Sequence, residues 1–143
     1  MPEIRPFDPD TDTVPVAALW RSVFGYKTSH NDPVVAIARK CAHGDGLFFV
    51  ACEGSVLRGT AMAGYDGHRG WIYAVAVDPA HQRTGIGRAL VEHAEHALAR
   101  LGCLKINLQI TQGNEAVVGF YSRLGYVVEP RVSMGKVLPG NLG

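Results

Sequence analysis

The chain has no apolar run near the roughly 18 residues of a membrane helix, and its start, MPEIRPFDPD, lacks the apolar centre of a secretory signal. Neither membrane insertion nor export is expected, and a cytoplasmic home is. An excess of one charge is also missing. Fourteen Lys and Arg stand against 13 Asp and Glu, the net charge is +1, and no stretch gathers the basic residues. Nucleic-acid binding, which needs a basic face, is disfavoured. Only three cysteines occur, Cys41, Cys52 and Cys103, an odd number without CxxC spacing. A disulfide-stapled scaffold is not called for. Two of the three suit apolar surroundings as small hydrophobes, and a reducing compartment fits all of them. The histidines show no metal-ligand spacing, so no metal is expected, and His30, His43, His93 and His96 read as surface residues on or near helices.

What is present suits one continuous α/β domain. The 143 residues are 47% hydrophobic and 19% charged, enough to bury a core, and no repeat or linker divides them. A short strand is expected at Glu3–Arg5 and a helix over Thr13–Phe24, with Val14, Ala17, Ala18 and Leu19 on its apolar face. Asn31-Asp32-Pro33 begins a second helix carrying Val34, Ile37, Ala38 and Cys41, which Gly44 and Gly46 end. Leu47–Cys52 and Val56–Tyr65 read as a hairpin, and Trp71–Val77 as a buried strand stopped by Asp78-Pro79. From Ile86 a helical stripe of Ala89, Leu90, Ala94, Ala97, Leu98 and Leu101 runs to Gly102. A strand at Lys105–Ile110, a helix at Asn114–Leu124, two short strands at Tyr126–Val128 and Val132–Val137, and a loose tail from Leu138 to Gly143 complete the reading.

Between the strand Trp71–Val77 and the helix from Ile86 stands the loop Gln82-Arg83-Thr84-Gly85-Ile86-Gly87. Two glycines one residue apart let a ligand approach the backbone, and the first amides of a helix lack internal partners. Arg83 and Arg88 flank the turn, and no carboxylate lies between Pro79 and Arg88. Together with the helix dipole this composition suits a pyrophosphate, although the same glycines would also serve a plain tight turn. Other phosphate motifs do not fit: the dinucleotide fingerprint needs glycine where Leu90 stands, and Gly-Lys-Ser/Thr is nowhere in the chain.

Val75-Ala76-Val77-Asp78-Pro79 followed by Gln82-x-x-Gly85-x-Gly87 resembles the acetyl-coenzyme A motif of the GNAT superfamily of N-acetyltransferases. Asn114, Tyr121 and Leu124-Gly125-Tyr126 are similar to that family's C-terminal motif, and Ala63 to Gly70 resembles its bacterial YpeA-type subgroup. The resemblance implies a mixed, mostly antiparallel sheet, splayed at its centre, with helices on both faces. It also implies that acetyl-coenzyme A is the co-substrate. Its pyrophosphate would rest on the segment Gln82, Arg83, Thr84, Gly85, Ile86, Gly87 and Arg88. Its pantetheine arm would lie along Val75, Ala76 and Val77, with Asn114 also on the cofactor side. The amide near Val75 would polarise the thioester carbonyl.

Acetyl transfer needs a neutral amine and a protonated leaving sulfur. Tyr121 matches the family's general acid, although Val117, Phe120, Tyr121 and Leu124 share a helical face where a ring can simply pack. The base departs from the pattern, since Trp71–Val77 holds no carboxylate and Gln109 stands where some relatives carry glutamate. Asp66 and His68 are the remaining candidates, with a water relay as the alternative. No cysteine sits beside an activating base, so direct transfer is expected. Trp20, Phe24, Tyr26 and Tyr65 either line the acceptor site or pack. Two rival readings stand: a coenzyme A-binding module without turnover, and a nucleotide-binding protein. The acceptor amine and the oligomeric state stay open, a homodimer included.

Overall fold

The computed structural model describes residues 1–25 and 32–140. Tyr26, His30 and Asn31, and the last three residues of the expected tail, lie outside the described residues. The chain forms two compact units, Met1–Gln109 and Ile110–Gly143.

The first unit holds five strands: β1 (Glu3–Pro6), β2 (Phe48–Glu53), β3 (Val56–Tyr65), β4 (Gly70–Val77) and β5 (Ile106–Asn107). They form one sheet in the order β1-β2-β3-β4-β5. The first three pairings are antiparallel and β4 with β5 is parallel. Helices α1 (Pro9–Phe24) and α2 (Pro33–His43) cover one face, where Val16, Ala17, Trp20 and Ile37 pack on Phe48, Val50, Cys52, Met62 and Ala76. Helix α3 (Ile86–Arg100) covers the other through Ile86 and Leu90 on Ala51 and Ala61. The mixed sheet with helices on both faces is therefore present.

Several elements differ from the expectation for local reasons. Helix α1 begins at Pro9 rather than Thr13, because Asp8 caps it by accepting from the Asp10 amide at 2.9 Å and proline suits the first turn. Its inward face is Asp12, Val16, Ala17 and Trp20, whereas Val14 is 80% exposed. Asp12 can turn inward because the Arg5 guanidinium grips its carboxylate with two bonds of 2.7 and 2.9 Å. Helix α2 starts where expected, with Asp32 as cap, but turns Pro33, Ile37 and Lys40 inward and leaves Cys41 exposed. Lys40 takes that place because its ammonium bonds Asp45 at 2.8 Å and the carbonyl of Ala63. His93 is half-buried rather than fully on the surface; its ring meets Phe49 edge-on at 4.7 Å, and burial lowers its pKa. Strand β4 is not buried throughout: Ile72 and Ala76 are inside, while Trp71 and Tyr73 are 36% and 44% exposed.

The second unit contains α4 (Glu115–Arg123) and then a chain without strands among the described residues. The strands expected at Tyr126–Val128 and Val132–Val137 are absent. Val127, Val128, Val132 and Val137 are all more than 70% exposed, and the Arg131 amide bonds Glu129 at 2.8 Å in a local turn around Pro130. β-branched residues favour a strand only where a partner offers a ladder and a surface to pack on. The strand expected at Lys105–Ile110 likewise shrinks to Ile106–Asn107, the two residues that pair with β4.

Candidate functional site

The loop between β4 and α3 is built to expose backbone. After Val77, Asp78 caps a single 3-10 turn (Pro79–His81) by accepting from the Ala80 amide at 3.1 Å. Arg58 holds the same carboxylate at 3.2 Å, and these bonds, led by that of Ala80, keep its pKa below the ordinary range. The chain then passes Gln82, whose side chain donates to the Val77 carbonyl at 3.4 Å, and Thr84, whose hydroxyl donates to the His81 carbonyl. Arg83 and Gly85 adopt positive φ of 64° and 91°. Gly85 is the N-cap of α3, no side chain caps the helix, and no acid lies in its first turn. The first helical bond runs from the Ala89 amide to the Gly85 carbonyl at 3.1 Å, so the amides of Ile86 to Arg88 precede the helical ladder. Residues 82–85 are exposed, which leaves an anion free access. Arg88 faces Glu92 at 3.3 Å and shares its charge with that neighbour.

Gly59 brings this helix start against the sheet. A Cβ there would stand 2.8 Å from the Ala76 carbonyl and 2.9 Å from the Leu90 side chain, so β3 must carry glycine where α3 crosses it.

Strand β4 supplies the second half of the site. Its pairing with β5 covers only Gly70–Ile106 and Trp71–Asn107. From Ile72 to Val77 no strand pairs with it on that side among the described residues. In the same stretch the register with β3 jumps from Met62–Tyr73 to Thr60–Ala76, leaving Ala74 and Val75 opposite Ala61. This is a β-bulge, and Ala74 sits in it at φ 51°. The bulge was not legible in the sequence. Its one trace is the polar residue Thr60 in an otherwise apolar stretch of β3.

Other expected site residues divide between the two units. Tyr121 is 8% exposed on α4, its ring meeting Phe120 and Tyr126 edge-on at 4.9 and 5.6 Å. Burial pushes its phenol up to about 12, so it is protonated at neutral pH. Asn114 is the exposed residue before α4 and makes no side-chain capping bond. His68 is exposed in the β3–β4 loop. Asp66 organises that loop, accepting from the amides of Arg69 and His68 at 2.7 and 2.8 Å and from Trp71 Nε1 at 3.3 Å. These bonds lower its pKa, the Arg69 amide most, and make it a weaker base. Val75 lies roughly 15 Å along β4 from Gly70 at the usual strand rise, with His68 further back still. Trp20 is buried in the core, whereas Phe24 is 37% exposed and Tyr65 half-buried. Among the described residues no group of three or more His, Cys, Asp or Glu is arranged for a metal, and no helix is long and apolar enough to cross a membrane.

The class of protein to which this fold belongs follows from comparisons with known proteins. The profile of the Acetyltransferase (GNAT) family matches residues 15–126. An acetyltransferase of Yersinia pestis (strain Pestoides F) is 38% identical over 136 residues, covering 95% of each chain. Among solved structures, an aminoglycoside N-acetyltransferase in complex with CoA superposes with a TM-score of 0.77 at 18% identity, over 96% of this chain and 95% of that one. The ribosomal-protein-S18-alanine N-acetyltransferase of Escherichia coli does so with 0.69 at 24% identity, over 87% and 77%. The chain belongs to the GNAT acetyltransferase family. It is an enzyme of acetyl transfer from acetyl-coenzyme A.

Proposed function

We propose that this enzyme passes the acetyl group of acetyl-coenzyme A directly to a primary amine, in the cytoplasm, with no covalent acetyl-enzyme. A small amine, a peptide N-terminus and a lysine all fit a chain of net charge +1. The observation that carries the reading is the start of α3: an exposed, glycine-capped, acid-free turn whose amides suit the pyrophosphate of coenzyme A. Gln82 to Arg88 hold that group, and the open edge of β4 from Val75 to Val77 takes the pantetheine arm as a further strand would lie. The Val75 amide receives the carbonyl oxygen as charge develops on it.

The amine lone pair attacks the thioester carbon, the C–S bond of the tetrahedral intermediate breaks, and the sulfur leaves as thiolate. Tyr121 gives that thiolate its phenolic proton, a role resting on its place in the motif with Asn114 and Leu124-Gly125-Tyr126 and on its protonated state. Its distance along the strand leaves His68 a part only at the end of a water relay that removes the ammonium proton. That the chain is one continuous N-acetyltransferase domain is part of the same proposal, supported by the family match across residues 15–126.

A thiol-release screen with acetyl-coenzyme A over small amines, N-terminal peptides and lysine peptides tests the reaction. Calorimetry of coenzyme A on Gly85→Val tests the site. Affinity should collapse, because the new residue must hold φ 91° and its Cβ would meet Met1 at 3.3 Å. Unchanged affinity in the folded variant would remove the loop from the cofactor site.

A further inference from the structure

Trp20 and Thr60 are among the most deeply buried side chains, at 1% and 0% exposure, yet both carry polar atoms. Those atoms form a chain. Trp20 Nε1 on α1 donates to Thr60 Oγ1 on β3 at 2.9 Å, and Thr60 Oγ1 donates to the Ala74 carbonyl at 2.9 Å. A hydroxyl has one proton, so with the indole as donor its proton is directed to Ala74. The far end of this chain is the β4 bulge, where Ala74 is held at φ 51° although it bears a Cβ.

The Ala74 carbonyl and the Val75 N–H belong to one planar peptide group. No peptide bond in the described chain is cis, so the two point in opposite directions. With its carbonyl drawn toward β3 by Thr60, this peptide turns its N–H away from β3, toward the edge of β4 that β5 leaves open. A bulged peptide with no register partner would otherwise be free to rotate, and rotation would carry the N–H off that edge.

We infer that Thr60, oriented by Trp20, is a positioning residue for acetyl transfer: it pins the Ala74–Val75 peptide so that the Val75 N–H faces the thioester carbonyl. This rests on the proposed path of acetyl-coenzyme A along β4. Neither residue touches the co-substrate; both act through one peptide plane.

The test reads the carbonyl itself and needs no acceptor amine. Infrared difference spectra of bound acetyl-coenzyme A, labelled with ¹³C at the thioester carbonyl, should show a stretch shifted to lower frequency relative to free solution. Thr60→Val, which keeps the shape and deletes the hydroxyl, should lose most of that shift while coenzyme A affinity stays near the wild-type value. Thr60→Ser, which restores the hydroxyl, should regain it. Thr60→Ala carries the same expectation as Thr60→Val should the valine variant not fold. A shift retained in a folded variant without the hydroxyl overturns the positioning role and leaves the proposed site intact. No shift in the wild-type protein, with acetyl-coenzyme A shown to be bound, overturns the polarising role of Val75 and the positioning role with it.

Discussion

At the scale of single residues, Tyr121 joins a catalytic expectation to a measurable physical property. Replacing it with phenylalanine keeps the ring and removes only the hydroxyl. Turnover of a good acceptor should fall by about 10²–10⁴-fold with acetyl-coenzyme A affinity nearly unchanged, the pattern of a lost general acid. A rate within threefold of wild type, with chemistry rate-limiting, would leave the ring a packing role only. The raised pKa gives a second reading. A phenol at about 12 in the folded chain and near 10 when unfolded favours the fold fully below pH 10, and this contribution is lost as pH rises from 10 to 12. The loss amounts to ~2–3 kcal/mol at two pK units. Denaturant titrations across that window should show a steeper decline for wild type than for Tyr121→Phe, and equal slopes would refute the burial effect.

The elements show what periodicity can and cannot reveal. Helix α3 was legible because its buried positions recur at helical spacing, the β2–β3 hairpin because an apolar run is turned back at Gly54, and the turn between β4 and α3 because of its glycines. The inward faces of α1 and α2 were not. Pattern reading sends charges outward, whereas Asp12 and Lys40 turn inward on partners that lie outside their own helices, Arg5 and the Asp45–Ala63 pair. The bulge in β4 escaped for the same reason, since the hydroxyl that holds Ala74 comes from another strand. The C-terminal strands failed in the opposite direction: their valines favour extended chain, but no ladder meets them. Gly59 offers a test at this scale. Gly59→Ala would push a methyl group to 2.8 Å from the Ala76 carbonyl and 2.9 Å from Leu90, displacing α3 from the sheet. Stability should drop by about 1–3 kcal/mol. Weaker coenzyme A binding in the folded fraction would accompany it. A neutral change in melting and affinity would mean the contact relaxes at no cost.

For the whole molecule, one ion pair joins the N-terminal strand, already paired with β2, to the first helix. Arg5 on β1 holds Asp12 on α1, whose carboxylate is 5% exposed, and keeps its pKa below the ordinary value, chiefly through their hydrogen bonds. A lowered carboxylate pKa stabilises the fold above the unfolded value, about 3.9, and that support is lost as pH falls through the folded value. Arg5→Met leaves Asp12 buried without its cation and should cost about 3 kcal/mol at neutral pH. Its acid-unfolding curve should lose the Asp12 step. A melting point equal to wild type would show that Asp12 finds other partners. Replacing Cys41, Cys52 and Cys103 together should leave turnover in the folded protein, as direct transfer requires. An acetylated cysteine in the intact mass of wild type would reverse that mechanism.

The open half of β4 also bears on how the enzyme keeps in solution. Six residues, Ile72 to Val77, present one row of backbone donors and acceptors without a neighbouring strand among the described residues. Such a row is a template for any extended chain, including another copy of the enzyme. A pantetheine arm occupying it would act as a reversible plug. Heated without coenzyme A, the protein should scatter light at lower temperature than with it, by more than the melting shift that mass action alone predicts. The thioester donor would then have a second use, guarding a sheet that the polypeptide leaves unfinished.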